Sequence, residues 1–92
     1  MRLSELYPSL NSDLQNIVLS INRREGPVHP DVAARLLGYK SRRNLDRLCF
    51  LGLLCEINNP TRRIPKNSLL IFLLSKHGFE NIEIDSLNIH PD

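Results

Sequence analysis

Long apolar runs are missing from this sequence. No stretch of it approaches the roughly 20 apolar residues that a membrane-spanning helix needs. Met1–Gln15 holds no apolar segment of the secretory kind, so the expected compartment is cytoplasmic, with no membrane partner. Cysteine is scarce: Cys49 and Cys55 form no C-x-x-C, and neither has a histidine at zinc-ligand spacing. His29, His77 and His90 are scattered along the chain. Two buried free thiols are expected, with no metal and no cofactor. The four glycines make no phosphate-cradling loop, and no nucleophile–base pair is visible, so an enzyme is not expected.

What is present is an ordinary apolar and charged content in 92 residues, enough for one folded domain and too little for two. The net charge is only +2, but it is sorted. Arg35–Lys66 carries eight basic and two acidic residues, a balance of +6 that leaves −4 for the rest. Beyond His77 the chain holds Glu80, Glu83, Asp85 and Asp92 and no Lys or Arg. A cationic middle between anionic ends gives one positive patch, the arrangement that suits a polyanion.

The centre of that patch is Ser41-Arg42-Arg43-Asn44-Leu45-Asp46-Arg47-Leu48-Cys49. Ser41 stands where a helix N-cap belongs. Leu45, Leu48 and Cys49 recur at the i, i+3, i+4 spacing of one face, so Arg43 and Arg47 project from the opposite one with Asn44 on its flank. Arg and Asn are the side chains that pair bidentately with guanine and adenine edges in the major groove. The plain alternative is a solvated basic helix face. Arg42 is placed to pair with Asp46 one turn on, or to reach a nucleic-acid backbone.

The flanking elements follow from pattern. Met1–Asn11 is expected as a loop or a loosely held turn, because Pro8 interrupts an early helix. Ser12 and Gln15 have capping-box spacing, and Leu14, Ile17, Val18 and Ile21 form a stripe, which predicts a helix from Asp13 to Arg24. Val28 is a short strand or a staple. His29 stands at the N-cap position, before a compact helix Pro30–Leu37 that starts on proline and stops at Gly38. Ala34 allows close approach of the next helix. Two short helices joined by Gly38-Tyr39-Lys40 fit a helix-turn-helix.

Leu53–Ile57 and Arg62–Pro65 read as two strands around Asn58-Asn59-Pro60-Thr61, a small hairpin with Arg62 and Arg63 near its tip. Paired arginines there suit phosphates or a minor groove, against the plainer reading of a solvated turn. Lys66–His77 is the last helix. One helix face holds only half of the run Leu69–Leu74, so its other half needs a second surface. The helix Asp13–Arg24 is the simplest cover, and a homodimer interface is the alternative. Ile82-Glu83-Ile84-Asp85 alternates like a half-buried strand. With Leu87 and Ile89 further on, this acidic tail could join the hairpin, pair with another subunit, hang free, or lie over the basic patch.

The order of elements resembles the excisionase-like winged helix-turn-helix domains of the MerR type. The residues that carry the likeness are Ala34-Arg35-Leu36-Leu37-Gly38, Tyr39-Lys40-Ser41, Arg42-Arg43-Asn44-Leu45, Arg47-Leu48, and Arg62-Arg63-Ile64-Pro65 followed by Lys66–Leu73. They lie within residues 28–74. Val32 stands where the family often has an acidic residue, the returning strand lacks the usual aromatic, and the turn has Asn58-Asn59-Pro60 in place of glycine. By this resemblance the fold is mainly α with a small β-hairpin: a winged helix-turn-helix with an extra N-terminal helix. It divides into an N-terminal covering helix (1–27), a core (28–77) and an acidic C-terminal tail (78–92).

The resemblance implies that Arg42, Arg43, Asn44 and Arg47 read bases or hold phosphates, with Arg62 and Arg63 touching DNA from the wing. Lys40, Ser41, Thr61 and Lys66 would add backbone contacts. The expected function is sequence-specific binding of double-stranded DNA, as a small transcriptional regulator or recombination directionality factor of bacterial, phage or mobile-element type. Cooperative assembly would run through Leu69–Leu74 or the tail. The competing expectation is a winged-helix protein-interaction module that uses the apolar last helix and the acidic tail.

Overall fold

A computed structural model describes residues 1–58 and 60–85. It is mainly helical: α1 (Leu3–Leu6), α2 (Ser12–Asn22), α3 (Pro30–Leu36), α4 (Arg42–Phe50) and α5 (Lys66–Lys76). All five contribute to one apolar core, from Leu3 and Leu6 through Val18, Ala33 and Leu45 to Leu74. Among the described residues no polar or charged side chain is buried. Whatever polar chemistry these residues perform is therefore at the surface.

Residues 1–11 are not the expected loop. α1 runs into a single 3-10 turn, Tyr7–Ser9, and Leu3, Leu6 and Leu10 are buried. Pro8 is tolerated because it falls in the first turn, where an absent N–H leaves no hydrogen bond unmade. α2 begins one residue earlier than the pattern predicts and ends two earlier. Its cap is Asn11, whose Oδ1 accepts from Leu14 N–H at 2.8 Å. Gln15 does not close a capping box; its side-chain amide donates to the Tyr7 carbonyl at 2.9 Å. Leu14, Val18 and Ile21 then face the core and pack on α5.

α5 buries Leu69, Leu70, Leu73 and Leu74, while Ile71 stays exposed. The apolar run is thus divided between α2 on one side and the rest of the core on the other. Lys66, at the first position of α5, donates to the carbonyls of Asn22 (2.9 Å) and Arg24 (2.7 Å). It satisfies acceptors that the end of α2 leaves open.

α3 and α4 pack directly on each other. His29 Nδ1 accepts from Asp31 N–H at 3.1 Å and so caps α3, with Pro30 behind it. Ala33 and Ala34 are buried, and their small side chains let α4 approach. Gly38 turns the chain at φ +85°, a conformation that side chains with a Cβ disfavour. Lys76 of α5 braces this turn. Its ammonium donates to Leu37 O at 3.0 Å and lies 4.7 Å from the Tyr39 ring centre.

The two expected strands are reduced to single bridges. Ile57 and Arg63 exchange backbone hydrogen bonds of 2.8 and 2.7 Å, and Ile64 and Val28 exchange two of 2.8 Å. Leu53–Cys55 cannot pair as a strand because its N–H groups are engaged elsewhere. Those of Leu53 and Leu54 turn back on Leu48 O, and that of Cys55 meets Ser68 Oγ at 2.9 Å. The bridged turn Ile57–Arg63 therefore hangs on few backbone bonds.

The described part of the tail, to Asp85, pairs with the chain's own N-terminus and not with the bridged turn. Glu83 and Arg2 form a parallel bridge, closed by Leu3 N–H to Glu83 O and Glu83 N–H to Met1 O, both 2.9 Å. Asp85 accepts from the backbone N–H of Ser4 at 2.9 Å and from the Ser4 hydroxyl. The expectations for Leu87, Ile89, His90 and Asp92 lie outside the described residues.

Candidate nucleic-acid interface

α4 is a nine-residue helix with one side committed to the core. Leu45 is 0 % exposed, and Leu48 and Cys49 are half-buried beside it. At about 100° per residue, Arg47 lies about 40° from Arg43 around the helix axis, and Asn44 about 100° away on the same flank. Arg43, Asn44 and Arg47 are all exposed, and among the described residues none of their side chains makes an ion pair or hydrogen bond. Ser41 caps the helix loosely, its Oγ accepting from Arg43 N–H at 3.4 Å, so the hydroxyl proton remains free to donate.

Arg42 does not pair with Asp46. It crosses to α3, where its Nε stands 2.9 Å from Asp31 Oδ1. Asp46, one turn further along the same side of α4, is taken by Arg62, which reaches in from the bridged turn. Arg62 Nε also donates to Glu56 at 2.6 Å. Held by two carboxylates, its side chain is only 26 % exposed. The hydrogen bond to Asp46 pushes the Arg62 pKa above its ordinary value, so the guanidinium stays charged. Cys49 lies against this cluster with its thiol pKa raised by burial.

The ten expected contact residues therefore separate into three groups. Lys40, Ser41, Arg43, Asn44, Arg47 and Thr61 are exposed. Arg63 is half-buried, with one guanidinium nitrogen donating to the Arg62 carbonyl at 2.7 Å. Arg42, Arg62 and Lys66 are engaged within the fold. Lys66 is the one of the three held by backbone: its ammonium seals the end of α2.

Two features escaped sequence reasoning. One is a cleft of about 430 Å³ where α3 meets the front of α4, lined by Arg35, Tyr39, Lys40, Ser41 and Arg42 with Asp31. Arg35 was legible as part of the basic stretch, but its place beside Lys40 depends on the turn at Gly38. The other is Phe50, 89 % exposed, with Leu51, Leu53 and Ile57 also uncovered. Phe50 follows Arg43 by seven residues, which at helical period puts it on the same face as the two arginines. That spacing was visible in the sequence.

No family model, no curated protein and no solved structure matches this chain.

Proposed function

We propose that this protein binds double-stranded DNA sequence-specifically, with α3 and α4 as a helix-turn-helix and the bridged turn Ile57–Arg63 as a reduced wing. α4 enters the major groove with its N-terminus leading. Arg43, Asn44 and Arg47 read base edges there. Ser41, Lys40 and Arg35 hold phosphate at the front of the helix, and Thr61 and Arg63 hold it from the turn. The role that follows is a small regulator of transcription or recombination.

One observation carries this reading. Three polar side chains of the type that reads bases stand together on the exposed face of a helix, none committed to a partner among the described residues, while Arg42 and Arg62 beside them are held by carboxylates. A merely solvated surface helix has no reason to keep its groove-facing cations free and to tie down their neighbours.

Titration of a labelled random duplex against salt tests the proposal. With about three phosphates neutralised, by Arg35, Lys40 and Arg63, log affinity should fall against log salt with a slope near −3. Affinity indifferent to salt counts against it, and selection from random duplexes that enriches no motif removes the specificity.

The protein-interaction reading keeps an observation of its own. Its expected surface, Leu69–Leu74, has four of its six residues buried in the core, but Phe50, Leu51 and Leu53 are uncovered. No duplex binding at low salt, together with a solution mass that Phe50→Ser lowers, would favour it.

A further inference from the structure

Arg62 and Arg63 stand next to each other on the bridged turn, and the pleat gives them opposite fates. Successive side chains of an extended segment point to opposite faces. Ile64 is fully buried, so its face is the inner one. Two residues away, Arg62 shares that face. Across the turn, Glu56 lies diagonal to it, the second neighbour of a cross-strand pair. Arg63 and its bridge partner Ile57 occupy the outer face.

From this placement we infer that Arg62 is not a DNA contact but a positioning residue, which clamps the bridged turn to α4 through Asp46 and Glu56 and leaves Arg63 as the turn's phosphate contact. The inference rests on the DNA-binding reading. The turn needs such a clamp: it is closed by one backbone bridge and docked by another, and a two-stranded hairpin alone is marginal in water. Arg62 ties it at two points, to α4 at Asp46 and to its own first limb at Glu56. The distance between the groove-reading face of α4 and Arg63 is thereby set.

The opposite assignment fails on charge. For Arg62 to reach a phosphate it must leave both carboxylates. Asp46 and Glu56 would then stand uncompensated beside a polyanion, and their repulsion would cancel the attraction gained. Arg63 has no carboxylate to leave among the described residues, where its guanidinium donates to a backbone carbonyl.

The test uses the full chain and three variants, Arg62→Gln, Asp46→Asn and Arg63→Gln, with two measurements. Amide exchange at Ile57 and Arg63 without DNA reports the clamp alone. It should quicken in Arg62→Gln and Asp46→Asn and stay unchanged in Arg63→Gln. Duplex affinity against salt reports the contacts. Arg63→Gln should make the log–log slope shallower by about 0.9, the value of one phosphate.

Asp46→Asn decides between the assignments, because it removes a negative charge near DNA. Charge alone would tighten binding. The clamp requires binding to weaken, about two- to fivefold, the scale of one partly exposed ion pair. The double variant Arg62→Gln/Asp46→Asn should bind no worse than Arg62→Gln, since both changes break one device. Tighter binding by Asp46→Asn, or additive losses in the double variant, overturns the inference. Wild-type protein that binds no duplex would sink the DNA reading, and the exchange measurement would still decide the clamp.

Discussion

The basic segment carries Arg-Arg at the front of α4 and again on the bridged turn, and in both places the first arginine is held by carboxylate and the second is not. Arg42 meets Asp31, and Arg62 meets Asp46 and Glu56. Arg43 and Arg63 meet no carboxylate among the described residues. The two regions differ in what else fixes them. α4 is anchored by Leu45 in the core, an attachment that salt does not weaken. The turn relies on two bridges and an ionic clamp, an attachment that salt screens. If α4 reads bases as proposed, an apolar anchor suits an element that must hold a register at any salt concentration.

The comparison breaks most decisively at Leu45. Replacing this fully buried side chain with Ala should cost about 2–5 kcal/mol of folding stability. In a chain of this size each kcal/mol lowers Tm by about 4–8 °C. Chemical denaturation monitored by circular dichroism measures it. A loss well under 1 kcal/mol would mean that α4 is not anchored through its apolar side, and its outward arginines would lose their geometric basis.

Next in size is the contrast between reading and holding. Arg43→Ala or Arg47→Ala should cost about 1–3 kcal/mol of discrimination at one base position. Arg63→Ala should weaken all duplexes alike. Competition binding with single-base variants of a selected site separates the two. Equal loss across all sequences from the helix changes would erase the distinction between the regions.

Arg42 sharpens the same comparison at a smaller scale. Its partner Asp31 lies on α3, and both side chains are about half exposed. Arg42→Gln should therefore change stability by about 0.2–1 kcal/mol, within the usual range of surface pairs. Thermal melts at low and high salt would check it, with the difference shrinking at high salt. A larger, salt-independent loss would show that Arg42 serves packing, and the parallel with Arg62 would end there.

How much of this was legible in the sequence depends on the range of the interaction. The face of α4 was readable because a helix of fixed period that buries Leu45 must expose Arg43 and Arg47. The close approach at Ala34 and the caps at Ser41 and His29 were readable for the same local reason. The engagement of Arg42, Arg62 and Lys66 was not, since each partner comes from another element: Asp31, Asp46 and the end of α2. Yet the inward turn of Arg62 had a signal. Ile64 demanded the core, and the pleat then assigns Arg62 inward and Arg63 outward. The strands were over-read at Leu53–Ile57, where apolar residues serve the end of α4 and one bridge. The N-terminus holds more helix than its pattern predicts, because Pro8 is permitted in a first turn.

The weakest expected effect concerns a carboxylate with no arginine partner. Asp85 accepts from the Ser4 hydroxyl and the Ser4 backbone N–H, and these hydrogen bonds hold its carboxyl below the usual carboxylate range. A carboxylate depressed by folding contributes stability that is fully present above its unfolded pKa and is lost as pH falls through the lower folded value. The clasp between Ser4 and Asp85 should therefore be complete at neutral pH and open only in acid, below the ordinary carboxylate range. Exchange at the Ser4 amide measured from neutral pH downward, after correction for intrinsic rates, should quicken in that window, with the Val18 amide inside α2 as the internal reference. Asp85→Asn should abolish most of the pH dependence at Ser4 and leave Val18 untouched. If Ser4 and Val18 instead loosen together, the terminal clasp opens only with the whole fold, and a separate acid step at Asp85 is ruled out.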